Sequence, residues 1–209
     1  MSFLIENKES IISFWNLKTD TEKENLIREI REYSESANKE DFIKEIRENF
    51  PQTNTSGISV IYEALTYRPE KWGDFFYDEY IRCFSTAEQS SSPYQILNCL
   101  EEISMIGSKD FPQVDQLIDD LTKHLTSTID VVRYFAIWFL GDWLWANKEN
   151  LEKYESALTQ VTDRLNDPHW KVRFLADSVL SDLGKLPKDY SKSFADKLRA
   201  KFQSPYMRK

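Results

Sequence analysis

Two stretches of this chain carry one pattern at an offset of 40 residues, and that recurrence limits its possible architecture more than any other feature. The first runs LTKHLTSTIDVVRYFAIWFLGDWL from Leu121 to Leu144, and the second runs VTDRLNDPHWKVRFLADSVLSDLG from Val161 to Gly184. Superposed, they place Leu125 on Leu165, Val132-Arg133 on Val172-Arg173, Ala136 on Ala176, Leu140 on Leu180 and Asp142 on Asp182. Apolar positions at helical spacing, repeated at such a period, mark stacked helix pairs, each too small to bury its own apolar face.

Composition agrees with a helical chain. With only 5 Gly and 7 Pro in 209 residues there is little turn chemistry for many strands. Hydrophobic residues at 41% suffice for one core, so residues 1–209 are expected to form a single domain. The formal net charge of -8 disfavours nonspecific binding to nucleic acid or an anionic membrane and favours a cationic partner. Cys83 and Cys99 sit among apolar helical positions and read as buried free thiols rather than a disulfide framework. The start, MSFLIENKESIISFW, lacks the build of a signal peptide, and no run of about 18 apolar residues occurs. A cytoplasmic protein is the expectation.

Along the chain, residues 1–50 read as charged N-terminal capping helices. Their stripes are Phe3, Leu4, Ile11, Ile12 and Trp15, then Leu26, Ile27, Ile30 and Tyr33 behind a cap at Asp20 or Thr21, then Phe42, Ile43, Ile46 and Phe50. PQTNTSG at 51–57 is a loop, Ile58 to Tyr67 a short helix stopped before Pro69, and Trp72 to Phe84 a strongly aromatic helix. Ser92-Pro93 opens the next helix, which ends before Gly107. The repeat core is taken as 72–184. Its clear pairs are Phe111 to Leu125 with Asp130 to Trp145, and Leu151 to Leu165 with Pro168 to Leu183. In the second pair Asp167 is the expected N-cap and Gly184 the stop. For a third copy at 72–106, an offset of 40 keeps the core apolar and an offset of 36 aligns Pro93 with a helix start; 40 is preferred. Phe194, Leu198 and Phe202 predict a closing helix within 190–203.

Leu165, Asp167, Val172, Arg173, Ala176, Leu180 and Leu183 form the pattern L-x-D-x4-VR-x2-A-x3-L-x2-L, which resembles the HEAT repeat. The first copy keeps Leu125, Val132, Arg133, Ala136 and Leu140 but has Ser127 where that family often has Asp. The resemblance covers 121–184 well, 72–106 loosely, and 1–70 only by periodicity. It implies an all-α fold, a right-handed α/α superhelix of about five HEAT-like helix pairs. It also implies structural roles for Arg133, Asp167 and Arg173, since the repeat's Arg commonly reaches an Asp of its own or a neighbouring repeat. HEAT proteins are mostly protein-binding scaffolds.

On the helix at 131–145 the core stripe is Val132, Ala136, Phe139, Leu140 and Trp143. At 100° per residue, Tyr134, Trp138, Asp142 and Trp145 fall on another flank. Their counterparts 40 residues on are Phe174, Ser178, Asp182 and Lys185, and the preferred register adds Tyr94 and Glu102 upstream. Aromatic anchors beside carboxylates suit a protein partner presenting Lys or Arg. The candidate partner-binding set is therefore Tyr134, Trp138, Asp142, Trp145, Phe174, Asp182 and Glu102. The same residues pack between repeats if that flank is covered.

Catalytic chemistry finds little support. His124 and His169 have no ligand set at metal spacing, no phosphate-binding glycine loop or nucleophile elbow occurs, and adjacent acids such as Glu101-Glu102 point apart on a helix. No metal and no cofactor is expected. Trp138 and Asp142 form a W-x3-D pair similar to the pocket of HEAT-like alkylpurine DNA glycosylases, but those enzymes present a basic concave face. The expectation is a non-enzymatic protein-binding module, most specifically a small acidic inhibitor of the immunity type that masks a basic partner such as a nuclease toxin. The alternatives are a HEAT-like adaptor or assembly scaffold, or a nucleic-acid-processing enzyme.

Overall fold

The computed structural model describes residues 2–17, 19–50, 55–104 and 111–204, and among these the fold is all-helical with no strand. In chain order the helices are α1 (Phe3–Glu6), α2 (Lys8–Ile12), α3 (Asp20–Ser36), α4 (Lys39–Asn49), α5 (Thr55–Leu65), α6 (Pro69–Ala87), α7 (Pro93–Asn98), α8 (Glu101–Ser104), α9 (Val114–His124), α10 (Asp130–Ala146), α11 (Glu155–Asp163), α12 (Trp170–Asp182) and α13 (Phe194–Phe202). Short 3-10 turns occupy Phe14–Asn16, Lys148–Tyr154 and Arg164–Asn166. Among the described residues no helix is long and apolar enough to cross a membrane.

Polar side chains decide several boundaries. The stripe read over 3–16 breaks at Asn7, whose amide donates to the Phe3 carbonyl at 3.0 Å. It breaks again at Ser13, whose hydroxyl donates to the Glu9 carbonyl at 2.6 Å; such local bonds compete with helix continuation. The cap of α3 is Thr19, one residue before the expected Asp20. Its hydroxyl accepts from the Glu22 N–H at 3.2 Å, while the Glu22 carboxylate accepts from the Thr19 N–H at 3.0 Å, a reciprocal capping box. Helix α5 starts at Thr55, inside the expected 51–57 loop; residues 51–54 and the expected stop at Gly107 lie outside the described residues. Pro69, expected as a stop, occupies the first turn of α6, where its missing N–H has no intrahelical partner to lose.

The repeat reappears as hydrogen bonds. The Arg133 guanidinium donates to the Ser127 carbonyl at 2.8 Å, and 40 residues on that of Arg173 donates to the Asp167 carbonyl at 2.6 Å. Each guanidinium also forks onto a carboxylate further along the chain. Arg133 grips Asp167 at 2.7 and 2.8 Å, and Arg173 grips Asp196 at 2.8 Å on both oxygens. Asp167 is not the N-cap of α12. With Arg133 holding its carboxylate, it accepts from the His169 N–H at 2.9 Å, and the helix starts at Trp170. Gly184 does end α12: at φ 66° it lets the Lys185 N–H reach the Leu180 carbonyl at 2.8 Å and its own N–H reach Ser181 at 3.0 Å.

One hydrophobic cluster runs from Leu4 to Leu180. Helix α10 is its hub, packing on α7, α8, α9 and α12, which explains why this helix is apolar nearly all round. Its approach to α12 depends on Gly141. A β-carbon there would lie 2.6 Å from Cγ2 of Val179, a branched side chain with little rotamer freedom on a helix. We expect Gly141→Ala to cost a net ~1–2 kcal/mol, the overpacking penalty exceeding alanine's helix-propensity gain of about 1 kcal/mol. A melting temperature unchanged or raised would show that the two helices are not held this close.

Two further expectations need correction. The helix start at Pro93, set against that at Asp130, lies nearer the offset of 36 than the preferred 40, and the chain breaks helix at Cys99-Leu100 before α8. The closing helix α13 does not close the core with its apolar residues. Phe194, Leu198 and Phe202 are 80%, 47% and 74% exposed, because the Arg173 fork turns Asp196 inward instead.

Candidate functional site: the groove between α10 and α12

Helix α10 turns Tyr134, Trp138, Gly141, Asp142 and Trp145 along one flank, and α12 faces it with Leu175, Ser178, Val179, Asp182 and Leu183. Between them lies an open groove of about 500 Å3. Five of the seven candidate residues thus meet in one place: Tyr134, Trp138, Asp142, Trp145 and Asp182.

The Trp138 indole stacks on Phe135 at 5.7 Å and 9°, and stands edge-on to Tyr134 at 6.2 Å and 89°. Tyr134 is almost wholly buried, so it supports Trp138 more than it offers surface. Trp145 is 55% exposed, and Lys148 Nζ lies 5.1 Å from its ring centroid. The chain's own cation therefore already uses the kind of contact that a partner's cation would make. Asp142 is half-buried and Asp182 exposed, one carboxylate from each helix. No lysine or arginine lines this groove among the described residues.

Phe174 and Glu102 lie elsewhere. Phe174 is covered by the segment after α12: Lys192 Nζ sits 4.4 Å from its ring centroid and pairs with Asp177 at 2.9 Å. Glu102 follows the helix break at Cys99-Leu100, which removes it from the α10 register. Its carboxyl is pushed up to about 7 by burial, then by the charges of Glu63 and Glu101. Tyr94 packs edge-on against Phe135 at 5.5 Å rather than extending an aromatic row.

The sign of the Glu102 shift gives a pH prediction. A carboxyl raised on folding favours the native state while protonated in both states, and that contribution is lost as pH rises from about 4.5 to about 7. Glu102→Gln is expected to flatten the fall in melting temperature over that window. An unaltered pH profile would refute the assignment.

Arg133, Asp167 and Arg173 are engaged in the ion pairs described above, Arg133 with Asp167 and Arg173 with Asp196. His124 stacks on Phe84 at 4.6 Å and its Nδ1 lies 2.9 Å from Glu88, while His169 Nε2 lies 3.4 Å from Asp130. Cys83 and Cys99 are buried thiols with their sulfurs 3.9 Å apart, and burial pushes the Cys83 thiol up. Among the described residues no group of three or more His, Cys, Asp or Glu is placed to hold a metal ion.

Helical periodicity alone does not single out Leu175, Val179 and Leu183, which line the groove from α12. Gly141 was the available signal, because a lone glycine within an apolar helix marks a close approach. Nor does periodicity single out Glu79, a buried carboxylate that accepts from Arg47 at 3.0 and 3.1 Å, from Tyr62 at 2.6 Å, and from Arg82. Comparison with protein-family models, with curated proteins and with solved structures finds no match.

Proposed function

We propose that this chain is a HEAT-like α/α superhelix of about five helix pairs, and that it acts as a non-enzymatic protein-binding module. The most specific form of the reading is a small acidic inhibitor of the immunity type, which masks a basic protein such as a nuclease toxin in the cytoplasm. One observation carries it: Trp138, Trp145, Asp142 and Asp182 share an open groove lined by no basic side chain among the described residues. Indole faces with carboxylates beside them suit a Lys or Arg of the partner, and tryptophan is a favoured interface anchor. The repeated Arg133 and Arg173 contacts support the helix-pair reading. A net charge of -8 speeds encounter with a basic partner and makes it salt-sensitive.

Affinity capture from the native host, with identification by mass spectrometry, supplies the partner. The deciding measurement is its affinity for the double variant Trp138→Ala/Asp142→Lys. Losing an aromatic anchor and reversing a facing charge is expected to weaken binding by ~100-fold or more with helicity intact. Unchanged affinity, or a captured partner that is not basic, overturns the reading and leaves an adaptor or assembly scaffold.

A second reading has one observation behind it, since Trp138 and Asp142 of the W-x3-D pair open into the same groove. A glycosylase must also neutralise the DNA backbone, and this groove offers carboxylates instead. Duplex binding at moderate salt that is lost in Trp138→Ala would revive it.

A further inference from the structure

The net charge conceals a segregation. From Lys185 to Ser204 the chain carries six lysines and arginines against two aspartates, in a protein of net -8. Within this stretch, α13 exposes Phe194, Leu198 and Phe202 at i, i+4 and i+8, an apolar stripe down one face. The exposed Lys197 and Lys201 flank it on one side and the exposed Arg199 on the other. Asp196 lies on the opposite face, held inward by the Arg173 fork at 2.8 Å, and this anchor fixes the stripe outward.

The chain therefore holds both halves of a complementary pair. The groove is aromatic and acidic, and α13 is aromatic and basic. Their lengths suit one another: at 1.5 Å per residue the stripe from Phe194 to Phe202 spans about 12 Å, and the α10 flank from Tyr134 to Trp145 spans about 16 Å. A groove between two packed helices also accepts the ridge of a third. The molecule's own groove is out of reach, because α13 is held at Arg173, and on the α12 wheel Arg173 and Asp177 point away from Asp182, Val179 and Leu183.

We infer that α13 of one molecule docks in the α10–α12 groove of a second copy, with Phe194, Leu198 and Phe202 against Trp138 and Trp145, and Lys197 and Lys201 against Asp142 and Asp182. The contact is head-to-tail, so it propagates into open chains rather than a closed dimer. The inference rests on the groove of the proposed function: α13 mimics the basic partner, and self-association competes with it.

Sedimentation velocity on the full chain across a concentration series tests this. Weight-average mass is expected to rise with concentration and to fall with added salt. Lys197→Glu/Lys201→Glu and Asp142→Lys/Asp182→Lys should each weaken association by ~100-fold or more, with helicity by circular dichroism unchanged. Mixing the two variants should restore it, since each then meets a complementary surface. A wild-type chain that stays monomeric throughout overturns the inference. So does association that neither reversal weakens, or that mixing fails to restore. A monomeric chain that pellets with phosphatidylserine vesicles, and loses this in Phe194→Ser/Phe202→Ser, also overturns it and assigns the stripe to lipid. Failure here is separable from failure of the partner reading. A monomeric chain whose groove still captures a basic protein sinks only the self-docking, whereas self-association without any basic partner sinks only the partner reading.

Discussion

Asp167→Ala is expected to destabilise the fold by about 3–5 kcal/mol, because it leaves the Arg133 guanidinium buried without its counter-ion. The Asp167 side chain is fully buried and that of Arg133 only 8% exposed, so water cannot easily replace the lost bonds. The carboxylate also serves Arg164 at 3.7 Å and the His169 N–H, so one truncation frees three groups at the junction of the two repeat copies. For a chain of this size the melting temperature should fall by roughly 6–20 °C. Replacing both partners with apolar residues, Arg133→Met/Asp167→Leu, should cost less than Asp167→Ala alone, since the desolvation penalty of the pair disappears with its attraction. A fall of less than ~1 kcal/mol for Asp167→Ala would show that the pair is hydrated in solution. Acid should act in the same direction. Burial opposes ionisation of Asp167, but the Arg133 fork and the His169 N–H hold its carboxyl below the usual aspartate range; the Arg173 fork does the same for Asp196. A depressed carboxyl stabilises the fold above its unfolded pKa of about 3.9, and that stabilisation is lost as pH falls through the folded value.

Three tryptophans on α10 should separate stability from binding. Trp143 is fully buried, with its ring centroid 4.9 Å from Phe111, so Trp143→Ala is expected to cost about 3–5 kcal/mol through lost contacts and a residual cavity. Trp145 is 55% exposed, and Trp145→Ala should change stability by no more than ~0.5 kcal/mol. Trp138, half-buried on Phe135, should fall between them at about 1–2 kcal/mol. Partner binding should follow another order: Trp138→Ala and Trp145→Ala weaken it, whereas Trp143→Ala does so only as far as it unfolds the protein. Chemical denaturation beside a binding titration measures both. Binding losses that tracked stability losses across all three would place the site away from the groove.

Most of the candidate site was legible because it rests on a local rule. One hundred degrees per residue separates Tyr134, Trp138, Asp142 and Trp145 from the core stripe, and a 40-residue repeat brings Asp182 opposite Asp142. Glu102 and Phe174 were not legible. Glu102 depends on an unbroken helix through Leu100, and Phe174 on what the segment after Gly184 covers. Neither is a property of helical periodicity. Burial of Tyr134 is a third case, since the wheel places a side chain on a flank without saying how near the next helix stands.

The sequence by itself determined that this protein is helical, that residues 121–184 carry one pattern twice at an offset of 40, and which flank of α10 differs between the two stretches. Those follow from spacing and side-chain type, which act over a few residues. Only the tertiary structure decided that α10 and α12 approach closely enough at Gly141 to leave a groove rather than a filled seam. It also decided that α13 turns Asp196 inward and its aromatic residues out. Pairing of the half-buried Arg173 guanidinium with Asp196 outweighed the ordinary orientation of an amphipathic helix, and no local pattern contains that competition.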